Sequence, residues 1–158
     1  MPANFGSDNG AGAHPKIIEA LMRASNGSAP AYGNDELTLR VENRLAELFE
    51  RDVTVLLMAT GTAANCVGLA TLCSPFGGIY AHSEAHIVND ESTAPEFFTN
   101  GARQFTVGGS SAKPDLNELL TAIEISGARG VHSVQPSVIA LSNLTELGAR
   151  FSVDEVAA

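Results

Sequence analysis

The stretch Val53-Thr54-Val55-Leu56-Leu57-Met58, continuing through Ala59-Thr60-Gly61-Thr62-Ala63-Ala64-Asn65, restricts the fold of this chain more than any other. Its first part is apolar except for Thr54 and rich in β-branched residues, the pattern of a parallel strand covered on both faces. Gly61 permits a sharp turn, and Thr62 is expected to cap a helix through Ala63, Val67, Leu69, Ala70 and Leu72. A helix starting there offers unpaired backbone N–H groups and the positive end of its dipole, which together stabilise an anion such as phosphate. Residue types alone leave two readings open, an ordinary strand-to-helix turn and a phosphate cradle.

The alternation recurs along the chain. His14-Pro15 opens a helix with Ile17, Ile18, Leu21 and Met22 on one face, ending at Asn26-Gly27. From Glu36, the spacing of Leu37, Val41, Leu45, Leu48 and Phe49 predicts an amphipathic helix. Short strands are expected at Ile79-Tyr80-Ala81, Gln104–Val107 and Ser137–Ser142, and a helix carrying Leu116, Leu119, Leu120 and Ile123 between Pro114 and Gly127. Strands separated by helices imply an α/β fold of three layers, α/β/α, around a mostly parallel sheet. Ligands of such sheets bind at the carboxyl ends of strands, which sets Thr60–Thr62, His82–His86 and Asn143–Glu146 along one rim. Residues 1–35 read as an N-terminal arm, first helix and loop, and residues 36–158 as the start of the main domain. Ser152-Val153-Asp154-Glu155 has the spacing of a capping box, so a further helix begins there.

Composition narrows the function classes. With 158 residues, 44% hydrophobic and 17% charged, the chain can bury a core. Nine basic against eighteen acidic residues argue against a nucleic-acid backbone as partner. No stretch has the length and apolarity of a transmembrane helix and no signal-peptide pattern opens the chain, so a cytoplasmic location is expected. Cys66 and Cys73 sit seven positions apart on one expected helix, about 10 Å along its axis, too far to bridge, and are read as reduced core residues.

Polar groups on the rim suggest chemistry. His82 and His86, four apart with Glu84, Asp90 and Glu91 nearby, form a set that fits a divalent cation if the segment is helical. The order differs from the His-Glu-x-x-His of zinc proteases, and no metal is assigned. A flat imidazole beside a phosphate cradle instead suits stacking on an aromatic cofactor. His132 adds a further titratable group.

Ser7-Asp8-Asn9 with Gly12-Ala13-His14-Pro15, Pro30-Ala31-Tyr32-Gly33-Asn34-Asp35, Thr60–Asn65, Ala85-His86-Ile87 and Thr145-Glu146-Leu147-Gly148 occur in an order that resembles low-specificity L-threonine aldolases. These are pyridoxal-phosphate enzymes of the beta-eliminating lyase family with an aspartate-aminotransferase-like fold. The resemblance runs along essentially the whole chain and matches the N-terminal half of such an enzyme. It implies pyridoxal 5'-phosphate as cofactor, threonine and glycine as small-molecule ligands, neither nucleic acid nor membrane as partner, and a homo-oligomer, dimer or tetramer. By position, Gly61 and Thr62 match the residues that hold the cofactor phosphate, and His86 the histidine stacked on the pyridine ring. Glu91 matches an acidic residue close to the ring. Ser7 matches a contact of the substrate carboxylate, Tyr32 a tyrosine near the active site, and His132 a second histidine near the substrate hydroxyl.

Such a mechanism needs a lysine for the cofactor aldehyde and an aspartate facing the pyridine nitrogen. The two lysines, Lys16 and Lys113, stand outside the family's lysine context, and Arg150 does not match its substrate-carboxylate arginine. The expectation is a chain inactive by itself and poorly stable as a monomer, its sheet presenting an unpaired edge. Two other expectations compete with an active aldolase: a non-catalytic binding or dimerisation fragment, and a metal-dependent enzyme using His82 and His86.

Overall fold

The computed structural model describes residues 10–157. They fall into two compact units, one up to Leu56 and one from Leu57 onward.

The first unit holds two helices, α1 (Pro15–Ala24) and α2 (Glu36–Phe49). Each starts where its cap dictates. His14 Nδ1 accepts from the Lys16 N–H, with Pro15 supplying a preset φ at the first helical position. Asp35 is the stronger cap: its Oδ1 accepts from the N–H groups of Leu37 and Thr38, both at 2.9 Å, while the Thr38 hydroxyl donates to Oδ2. That hydroxyl, followed by the backbone donors, holds the Asp35 carboxyl below its ordinary value. Helix α2 ends in left-handed backbone at Glu50.

In the second unit, α3 (Gly61–Leu72) leads to β1 (Gly77–His82), and two short helices follow, α4 (His86–Asn89) and α5 (Ala94–Phe98). Then come β2 (Arg103–Val107), α6 (Leu116–Gly127), a single 3-10 turn (Gly130–His132), β3 (Gln135–Ile139) and α7 (Val153–Ala157). The sheet has the order β2-β1-β3, every pair parallel. Strand β1 is central and every one of its residues is buried, as in a parallel strand covered on both faces. Alternation along it sorts the core into two layers. Ile79 and Ala81 point to one face, with Leu69 of α3, Cys73 just past its end, Ile87 and Ala102. Tyr80 points to the other, with Val107 and Leu119, and its ring stacks on Phe105 at 5.0 Å between centroids. Helices therefore cover both faces of a parallel sheet, the expected three-layer arrangement. Cys66 and Cys73 are buried free thiols.

Two expectations are corrected. Val53–Met58 forms no strand: among the described residues it has no ladder partner, and Leu56, Leu57 and Met58 are exposed. A strand exists only when a neighbour takes up its N–H and C=O groups, and neither β2 nor β3 pairs with this run. The cap of α3 is Thr60, not Thr62. Its Oγ1 accepts from the Ala63 N–H at 3.1 Å, and Gly61 is the first helical residue. Both threonines suit a cap, and the chain uses the one whose backbone is extended. The capping box at the end is formed as its spacing predicts, with reciprocal bonds between Ser152 and Glu155.

Candidate active site

The carboxyl end of β1 delivers His82, and the chain turns at once into α4, so His86 stands at that helix's first position. His82 and His86 thus occupy a strand end and a helix start rather than one helical face. His82 is buried, and its Nδ1 accepts the Glu84 N–H at 3.0 Å. Its partner is backbone, which makes it a brace for the turn. The described residues contain no group of three or more His, Cys, Asp or Glu side chains placed to hold a metal ion.

His86 is held from two sides. Its backbone N–H donates to Glu146 Oε1 at 2.8 Å, and its ring Nδ1 lies 2.7 Å from Glu91 Oε1. The ring remains 53% exposed, whereas the Glu91 side chain is completely buried. Asn65 of α3 donates its amide to the same Glu91 oxygen at 2.6 Å. Glu91 Oε2 is buried with no hydrogen-bond partner. A buried carboxylate oxygen left bare costs about 1–3 kcal/mol, a cost that packing alone would avoid with an apolar side chain. Burial, and then the charge of Glu91, push the neighbouring Cys66 thiol up from its ordinary value.

Glu146 sits in a turn beyond β3 that is built for it. Thr145 and Gly148 close it through the Gly148 N–H to Thr145 carbonyl bond and the Thr145 N–H to Ala149 carbonyl bond, both 2.8 Å. Gly148 takes left-handed backbone at φ 77°. Burial raises the Glu146 carboxyl, but the backbone N–H groups of Glu146 and His86 and the Ser142 hydroxyl outweigh it, so the group stays ionised below its ordinary value.

Gly61 and Thr62 complete the rim. With Ala63 satisfied by the Thr60 side chain and Ala64 by the Thr60 carbonyl, the N–H groups of Gly61 and Thr62 have no acceptor among the described residues. A Cβ at Gly61 would meet nothing within 4 Å, so the space before the helix is open. Asn65 lies on the same helical face, one turn later, and ties this terminus to the Glu91–His86 pair. A helix N-terminus with two free donors is thereby fixed within one turn of a half-exposed imidazole.

The sequence pattern of the beta-eliminating lyases matches residues 4–158. The chain belongs to that family. It is 33% identical over 157 residues to a low-specificity L-threonine aldolase of Pseudomonas sp. (strain NCIMB 10558), and 35% identical over 157 residues to one of Pseudomonas aeruginosa. In each case 98% of the chain aligns with 44% of the relative, so it spans less than half the length of these curated relatives. A solved threonine aldolase of Leishmania major superposes with a TM-score of 0.84 at 26% identity, over 93% of this chain and 42% of that one.

The structure brings together only part of the expected site. Gly61, Thr62, Glu91 and His86 are linked through Asn65, which residue-by-residue reading leaves without a role. Asn65, three residues past Thr62 and four past Gly61, is the one amide side chain in a helix without charged residues, and that is the signal that points to it. His132 closes the 3-10 turn ahead of β3, exposed, at the opposite end of that strand from Glu146, and does not join the set. Its short distance in sequence from β3 hides the fact that the strand carries the chain away from it. Tyr32 belongs to the first unit and is 99% exposed, in left-handed backbone at φ 63°. Ser7 lies outside the described residues.

Proposed function

We propose that this chain carries the phosphate- and ring-binding part of a pyridoxal-phosphate-dependent L-threonine aldolase, which splits L-threonine or L-allo-threonine into glycine and acetaldehyde. The observation that carries the reading is the junction of two free N–H groups at the α3 terminus with the half-exposed ring of His86, bridged by Asn65 and Glu91. The donor set suits the cofactor: a dianionic phosphate fits a helix N-terminus, and a flat imidazole fits one face of a pyridine ring. The family match and the two aldolase relatives support the same choice of chemistry.

When bound, pyridoxal phosphate supplies an aldehyde that condenses with an amine and a ring that withdraws electrons from the bond being broken. Gly61 and Thr62 would fix its phosphate through backbone donors, and His86 would cover the ring and shield it from water. Glu91 would keep that imidazole in place, and Ser7 and Tyr32 are assigned to the amino-acid substrate by position. Neither Lys16 nor Lys113 stands in the family's lysine context, and Lys113 Nζ is engaged 2.6 Å from Glu155 Oε1 and 5.0 Å above the Phe151 ring. The proposal for residues 1–158 is therefore of cofactor binding through the phosphate and the ring, with no covalent link from Lys16 or Lys113.

Equilibrium titration with pyridoxal phosphate, followed by absorbance and by competition with inorganic phosphate, tests the cradle. Saturable binding that phosphate displaces is expected, with no pyridoxyl-lysine at a defined site after borohydride reduction and mass spectrometry. Equal binding of pyridoxal lacking its phosphate would overturn the cradle, and a reduced adduct on Lys113 would overturn the non-covalent mode.

A further inference from the structure

We propose that Glu91 and Asn65 are positioning residues that lock His86 into one neutral tautomer, its proton on Nδ1 and the lone pair of Nε2 open to the site. The geometry leaves little choice of proton. Glu91 Oε1 lies 2.7 Å from the ring Nδ1 and 2.6 Å from the amide nitrogen of Asn65, and an ionised carboxylate only accepts. Both nitrogens must then donate, so the Nδ1 of neutral His86 carries the hydrogen and Nε2 carries none. The reverse assignment would need a proton on the carboxyl group. On Oε1 it would turn the oxygen that takes the Asn65 amide into a hydroxyl, a weaker acceptor than a carboxylate, and on Oε2 it would meet no acceptor, since that oxygen is buried without a partner.

Asn65 decides which way the carboxylate faces. Both donors converge on a single oxygen of a side chain with no exposed surface, so rotation of Glu91 would break two bonds inside the protein with no water to replace them. The Asn65 amide is itself oriented, because turning it over would place its oxygen against Glu91 Oε1. The backbone at the start of α4 is anchored independently through the His86 N–H to Glu146, and Glu146 is braced by the Ser142 hydroxyl at 2.8 Å. Three elements thus fix the imidazole: α3 through Asn65 and Glu91, α4 by carrying it, and the turn after β3 by gripping its backbone. A histidine held this way presents Nε2 as an acceptor rather than a donor. That preparation of the ring gives the cradle its chemistry, and its effect on cofactor binding rests on the pyridoxal-phosphate reading above. The tautomer itself does not.

The tautomer is read directly from long-range proton–nitrogen NMR spectra of the full chain labelled with nitrogen-15 in histidine, recorded where the imidazoles are neutral. His86 is expected to show a protonated Nδ1 and an unprotonated Nε2. A proton on Nε2, or nitrogen shifts averaged between the two forms, would overturn the proposal, and this measurement needs no variant. In Asn65→Ala and in Glu91→Leu the two nitrogen shifts of His86 are expected to move towards the averaged or reversed pattern while those of His82 stay put. Unchanged His86 shifts in folded Asn65→Ala would remove Asn65 from the mechanism. A second arm titrates each chain with pyridoxal phosphate, with affinity expected to fall roughly tenfold in Asn65→Ala, the scale of losing a partner that orients a ligand. A wild-type chain that shows the Nδ1–H tautomer and binds no cofactor supports the lock and overturns the cradle, so the two failures are distinguishable.

Discussion

Lys113 and Glu155 meet across 42 positions of sequence, Nζ to Oε1 at 2.6 Å, and so tie the loop before α6 to the last helix. The ammonium of Lys113, and then the N–H and hydroxyl of Ser152, pull the Glu155 carboxyl from an ordinary 4.5 down to about 2. A carboxyl depressed in the folded state contributes stability that is present above its unfolded value and lost as pH falls through the folded one. The contribution is therefore expected to be complete above 4.5 and to fade towards about 2. Because Glu155 is half exposed, salt should screen it. Carboxyl carbon NMR titration checks this. Glu155 should titrate near 2 in the wild type and move back towards 4.5 in Lys113→Met. The same midpoint in both chains would show that the ion pair does not form.

Thr60→Ala should cost about 1 kcal/mol, the usual loss for removing a helix N-cap, because Ala63 would lose the oxygen that accepts its N–H. Thr62→Ala removes no cap bond and should stay within about 0.5 kcal/mol. Urea denaturation of the two variants side by side decides between Thr60 and Thr62 as the cap. A larger loss at Thr62 would reverse the assignment.

Much of the second unit is legible because its signals are local. Short apolar runs bounded by Gly, Pro or Ser give β1, β2 and β3 to within a few residues, and the Ser152–Glu155 pair announces α7 through bonds made inside a single turn. Val53–Met58 has the same local signal and no strand, since strand formation is settled by a neighbour that pattern cannot see. The site divides in the same way. Resemblance puts His86 and Glu91 together, but the contacts that orient them join residues 26 and 60 positions apart, Asn65 to Glu91 and His86 to Glu146. No periodicity encodes such pairs, and they emerge only once β1 and β3 lie side by side.

Gln104 is expected to be a strong stability determinant although it touches no candidate ligand. Its amide donates to Glu96 Oε1 at 2.7 Å and to the Ile87 carbonyl at 3.3 Å, joining β2 to α5 and to the helix that carries His86. Glu96 Oε2 is already buried without a partner, so Gln104→Ala would leave the whole carboxylate unpaired. The expected loss is about 1–3 kcal/mol by chemical denaturation. Gln104→Glu should be worse, because it sets a second carboxylate against the first. A Gln104→Ala chain as stable as the wild type would mean that Glu96 finds water instead.

Gly77→Ala and Gly61→Ala separate packing from ligand approach. At Gly77 a Cβ would stand 2.6 Å from Cys73 Sγ and 2.5 Å from Ser137 Oγ, where the start of the central strand passes between α3 and β3. Overpacking of that kind costs about 1–3 kcal/mol. At Gly61 the same methyl meets nothing within 4 Å beyond its chain neighbours and its own helix backbone, and alanine is the better helix former by up to about 1 kcal/mol. Thermal unfolding should therefore fall in Gly77→Ala and hold or rise in Gly61→Ala. Pyridoxal-phosphate affinity is expected to fall in Gly61→Ala despite its sound fold, because the added methyl occupies space that a phosphate needs in order to reach the free N–H groups of residues 61 and 62. Undiminished affinity in that variant would place the phosphate somewhere other than the start of α3.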